Sequence, residues 1–101
     1  MKLYEKAKIL RSKNSGPFEV TLDILFENQQ DYNDVKNGNK ITKEVIAALY
    51  NLELKDVHHS VYFDQALGIK ITIARKISSG SPGDRDVYGA QQHAPLMNID
   101  V

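Results

Sequence analysis

No cysteine occurs in the chain, so neither a disulfide framework nor a thiolate metal site can form, and no oxidising compartment is required. A surplus of one charge is missing too. Thirteen basic side chains face thirteen acidic ones, which leaves no broad field to attract a polyanion, and no nucleic-acid partner is expected. Long hydrophobic runs are absent: no apolar stretch approaches membrane-spanning length. The opening Met-Lys-Leu-Tyr-Glu-Lys-Ala-Lys-Ile-Leu intersperses charges where a signal peptide needs an unbroken apolar core. The expectation is a cytoplasmic protein with no membrane association. With no cysteine, no serine in a nucleophile-elbow context and three histidines, intrinsic hydrolase chemistry is not expected either.

What is present is enough for a fold. At 101 residues the chain has the usual size of one domain, and 42% hydrophobic with 26% charged residues is too apolar for a disordered one. Residues 18 to 26 alternate, with Phe18, Val20, Leu22, Ile24 and Phe26 on one side and Glu19, Thr21 and Asp23 on the other, the period-two signature of a half-buried strand. Ile69, Ile71 and Ile73 repeat it, Val57, His59, Val61 and Phe63 form a weaker series, and the short Asp64 to Gly68 link makes these two a hairpin. His58 and His59 would point to opposite faces, one towards core or interface and one towards solvent.

Between the strands, Thr42 and Glu44 mark a helix start, Ile41 and Ile46 have staple spacing, and Leu49, Tyr50 and Leu52 continue the apolar face. A shorter helix is expected before it, capped by Asn28, burying Tyr32 and Val35 and ending at Gly38 through positive φ. Residues 6 to 12 fit a first strand, joined to the second by the loop chemistry of Lys13-Asn14-Ser15-Gly16-Pro17. The predicted fold class is α+β: one four-stranded, mostly antiparallel sheet, in the order strand, strand, helix, helix, strand, strand, with both helices on one face. Residues 1–77 form this core, and residues 78–101 a Gly/Pro-rich polar arm of the same domain. Its last pentad, Met97 to Val101, alternates again and fits an edge strand of this or another copy's sheet.

Two segments carry chemistry. Gly80 to Leu96 gathers Asp84, Arg85, Asp86, Tyr88, Gln91, Gln92 and His93; Arg85 offers a bidentate fork for a carboxylate or phosphate, and His93 exchanges a proton near neutral pH. The plainer alternative is that Asp84, Arg85 and Asp86 pair locally while the two amides satisfy backbone groups of a wrapped tail. No Gly-Lys-Ser/Thr ending follows the glycines, which removes the phosphate-loop reading. Asp84, Asp86 and His93 are weak candidates for a divalent metal, and neither a resident metal nor a cofactor is expected. The second segment, Arg11-Ser12-Lys13-Asn14-Ser15-Gly16-Pro17, places cations, hydroxyls and an amide at a strand end, where an anion can be bound. An ordinary solvated turn is the alternative. Asp64, in the hairpin link, reads as a turn former rather than a base.

In Arg11 to Phe18 and Gly80 to Leu96 the chain resembles a bacterial and archaeal family of this length that has no assigned function, and the likeness extends over essentially the whole sequence. That family occurs alone, and attached to or encoded beside the larger AtuA-type proteins of acyclic terpene utilisation, which are linked to acyl-CoA and branched organic acid catabolism. The chain is also similar to the small ferredoxin-like C-terminal domain of AtuA-type proteins, whose first strand ends in Arg-Ser-Gly-Asp-Lys-Gly-Asp. Arg11, Ser12 and Gly16 match that pattern, whereas Lys13, Asn14, Ser15 and Pro17 depart from it.

The resemblance implies an accessory binding subunit of an AtuA-type assembly acting on an organic acid or acyl-CoA, with Arg11, Ser12, Asn14, Arg85, Tyr88, Gln91, Gln92 and His93 around the ligand. A stand-alone lyase or isomerase is the alternative, with Asp84, Asp86 and His93 as acid and base and Arg85 as carboxylate clamp. A purely structural domain is a third. Zero net charge and the turn-rich arm favour a homodimer or higher oligomer beside the AtuA-type partner.

Overall fold

In a computed structural model the described residues are 1–75 and 94–101. A single turn of helix, α1 (Leu3–Lys6), leads into β1 (Ile9–Asn14) and β2 (Glu19–Leu25); α2 (Gln29–Gly38) and α3 (Lys43–Leu49) follow, and β3 (Val57–Phe63) and β4 (Gly68–Ala74) complete the sheet. The strand order is β1-β2-β4-β3, and every neighbouring pair is antiparallel. This is an α+β fold with the chain order expected. The helices stay on one face, while the strands are joined as two hairpins rather than along a β-α-β-β-α-β path.

Alternation builds the core. Val20, Leu22 and Ile24 of β2 and Ile69, Ile71 and Ile73 of β4 are buried beneath Tyr32 and Val35 of α2 and Ile46 and Ala47 of α3. The other face of the sheet holds Thr21, Asp23 and Thr72, which are also buried, so β2 is enclosed on both sides although only one of its sides is apolar.

Both helix starts form as their residues predict. The Asn28 side chain accepts from the Asp31 N–H at 2.9 Å, and Thr42 Oγ1 from the Val45 N–H at 3.1 Å, each satisfying an orphan donor of the first turn. Ile41 and Ile46 are both buried. At its other end α2 runs through Gly38, and the left-handed conformation falls instead to Asn39, at φ 52°; asparagine tolerates it by local hydrogen bonding.

Three burial expectations are corrected. Phe18 is 64% exposed because β2 begins one residue later, at Glu19. Leu49, the last residue of α3, is 38% exposed. Neither His58 nor His59 lies in the chain's own core, so the core half of the core-or-interface expectation is not met; an irregularity between Val57 and His59 breaks strict alternation at that point.

The ends of the chain meet. Leu96, within a 3₁₀ turn over Ala94–Asn98, is fully buried in the same core as Leu3. Leu3 N–H donates to the Ile99 carbonyl at 2.8 Å, Val101 N–H to the Met1 carbonyl at 2.9 Å, and Lys2 Nζ pairs with Asp100 at 3.0 Å. Of the strand expected over residues 97–101, what forms is one antiparallel bridge between Asp100 and Lys2. Among the described residues no helix is long and apolar enough to cross a membrane.

Candidate functional site

The β1–β2 hairpin ends in the loop singled out above. Ser15 N–H closes it on the Glu19 carbonyl at 2.9 Å, with Gly16 at φ 109°, a conformation that L side chains rarely adopt. Period two then distributes its polar residues. Arg11 lies directly opposite Asp23 in the register, and its Nε donates to the Asp23 carboxylate at 3.0 Å on the sheet face away from the helices. The Arg11 side chain is largely exposed, so the rest of its guanidinium fork faces solvent. Lys70 of β4 is the other register neighbour of Asp23.

Ser12, opposite Leu22, is buried, and Asn14 is opposite Val20; both therefore sit on the opposite face of β1 from Arg11. A ligand touching all three would have to approach the strand end, where the two faces converge.

That strand end is also where β4 finishes. Arg75 Nη1 donates to Asn14 Oδ1 at 2.6 Å, and its backbone N–H donates to the Phe18 carbonyl at 2.7 Å. Arg75 was not singled out from the sequence, because it falls in the apparently plain end of a strand; only the sheet register brings it to the loop. His58 Nδ1 and Glu19 Oε2, 2.6 Å apart, complete the polar rim from β3 and β2. Lys13 and Arg75 thus lie at this end of the sheet, while Arg11 sits further along β1, paired with Asp23. The exposed Arg11 guanidinium and Lys13 ammonium can hold a carboxylate or phosphate in charge-assisted hydrogen bonds.

A second polar cluster lies at the opposite end, where β3 turns into β4. Tyr32 O–H donates to Asp64 Oδ1 at 2.5 Å, and Lys36 Nζ donates to the same oxygen at 2.8 Å. The Lys36 ammonium sits 5.8 Å from the Tyr32 ring centroid and 5.7 Å from that of Tyr62, within cation–π range. Burial, and then the hydrogen bond to Asp64, push the Tyr32 phenol above its ordinary range; Lys36 and Tyr32 hold the Asp64 carboxyl below its own. Asp64 opens a 3₁₀ turn over Asp64–Ala66, as its turn-forming chemistry predicts, and also ties that turn to α2. Tyr32 and Lys36 of α2 thus share one oxygen of Asp64, which makes the cluster a clasp between two elements.

Asp84, Arg85, Asp86, Tyr88, Gln91, Gln92 and His93 lie outside the described residues. Among the described residues no group of three or more histidine, aspartate or glutamate side chains could hold a metal ion. The family model described as "Domain of unknown function (DUF4387)" matches residues 3–100. No curated protein and no solved structure matches the chain.

Proposed function

The chain belongs to the DUF4387 family, and from that premise we propose that it is a binding module: an accessory subunit of an AtuA-type assembly that helps to hold an organic acid or its CoA thioester. One observation carries the reading. Arg75, the last described residue before the polar Gly80 to Leu96 stretch, is bonded to Asn14 at the end of β1 and to the carbonyl of Phe18, the last residue before β2. The chain therefore leaves the sheet against the loop with which that stretch would share a ligand.

In this reading Arg11 and Lys13 draw the anion to the strand end and Arg85 clamps its carboxylate, with Tyr88, Gln91 and Gln92 as further donors. His93 holds or releases a proton beside it, because an imidazole changes charge close to neutral pH. Ser12 and Asn14 position the β1 end rather than reach the ligand, given their places on the helix-side face.

Isothermal titration of the full chain with its AtuA-type neighbour, using a branched short-chain carboxylate and its CoA thioester, tests the proposal. Arg85→Ala should weaken binding by about 2 kcal/mol, the scale of a charge-assisted hydrogen bond, while the circular dichroism spectrum stays unchanged. Unaltered affinity in Arg85→Ala and Arg11→Ala would refute the site. Turnover of the carboxylate by the chain alone would point to the lyase or isomerase instead.

A further inference from the structure

The sheet has two edges, and the residues along them differ in kind. β1 carries Arg11 and Lys13, and cationic side chains on an edge discourage the addition of another strand. β3, at the other edge, reads Val-His-His-Ser-Val-Tyr-Phe and has no lysine, arginine, carboxylate, proline or glycine in its seven residues. Val61 is 43% and Phe63 48% exposed. No hydrogen bond to the outward-facing backbone groups of β3 is made among the described residues.

The neighbouring layer repeats the pattern. α3 follows Ile41, whose carbonyl accepts from the Tyr62 O–H of β3 at 3.4 Å, by two residues, and it exposes Val45 and Leu49 at i, i+4 spacing. Apolar surface is thus left uncovered both on β3 and on the helix beside it.

We propose that β3 pairs antiparallel with β3 of a second copy of this chain about a twofold axis, extending the sheet to eight strands across the dimer. A strand meeting itself in antiparallel fashion is self-complementary by symmetry, and here the symmetric meeting brings no like charges together. With the axis at Val61, Val61 faces its own counterpart and each Phe63 faces His59 of the other copy, so the exposed outer-face side chains meet across the new junction. Zero net charge on each chain adds no long-range repulsion. An unrelated partner would have to supply a matching uncharged strand, whereas a second copy already carries one.

Sedimentation of the full chain across a concentration series tests this, read beside amide hydrogen exchange over Val57–Phe63. The native chain should dimerise, with alternate β3 amides becoming more protected as concentration rises. Val61→Glu places two carboxylates opposite each other at the axis while Lys70, its register partner within the sheet, accommodates each one; association should weaken roughly tenfold or more. Ile9→Glu on the other edge strand should leave association unchanged. If Val61→Glu does not fold, the concentration dependence of exchange in the native chain decides by itself. A chain that stays monomeric at high micromolar concentration overturns the proposal, as does a dimer whose β3 exchange is independent of concentration. Protection of β3 on adding a foreign protein alone would overturn it too.

Discussion

At the residue scale, the perturbed groups are three aspartates held by lysines and the buried tyrosines. Asp64, Asp34 and Asp100 are held below the ordinary carboxylate range, in each case first by a hydrogen bond from a lysine: Lys36, Lys6 and Lys2 respectively. A lowered folded-state pKa contributes stability that is present above the unfolded value and lost as pH falls through the folded one. The melting temperature should therefore decline on acidification below pH of roughly 4, and Asp64→Asn should flatten part of that slope. The tyrosines act with the opposite sign. Burial raises the phenols of Tyr32 and Tyr50, so their contribution is complete below the ordinary tyrosine value and fades as pH climbs beyond roughly 10. Alkaline melting curves of Tyr32→Phe should show a weaker fall than those of the native chain; an identical fall would mean that Tyr32 is not held neutral by its surroundings.

At the scale of elements, the caps are the most direct targets. Thr42→Ala removes the acceptor for the Val45 N–H and should cost about 1 kcal/mol in denaturant unfolding; a neutral result would mean that water replaces the cap without loss. These caps, the alternation of β2 and β4 and the two-hairpin order were legible in the sequence because each depends on neighbours a few residues away. Other features were not. α1 is a single turn whose Leu3 is buried with Leu96, a contact between the two ends of the chain that no local period records, and the strand expected over residues 6 to 12 runs instead over Ile9–Asn14. Phe18 continued the alternation of β2 on paper, yet pairing starts only at Glu19. The clasp was missed for a similar reason, since Tyr32 and Asp64 stand 32 positions apart; the signal available was the i, i+4 spacing of Tyr32 and Lys36 on one helix face. In the candidate site, the loop's residue types were visible, while the arrival of Arg75 at Asn14 followed from the register of β4 against β2.

At the scale of the whole molecule, a helix layer and a sheet enclose one core, and Ile71, fully buried at its centre, sets the cost of disturbing it. Ile71→Ala should lower unfolding free energy by about 2–5 kcal/mol, the usual range for such a truncation in a packed interior. Around that core the two ends of the sheet are chemically distinct. The clasp of Tyr32, Lys36 and Asp64 joins α2 to the β3–β4 turn, whereas Lys13 and Arg75 lie at the β1–β2 end and Arg11, further along β1, keeps most of its side chain exposed. The proposed binding role assigns the ligand to the second of these ends. An amide NMR shift map of the full chain, titrated with isovalerate and then isovaleryl-CoA, separates the two most directly. Shifts should concentrate at residues 11–19 and at Arg75, with Asp64 to Gly68 unmoved; shifts confined to the β3–β4 turn, or none at any ligand concentration, would contradict a carboxylate site at the β1–β2 end.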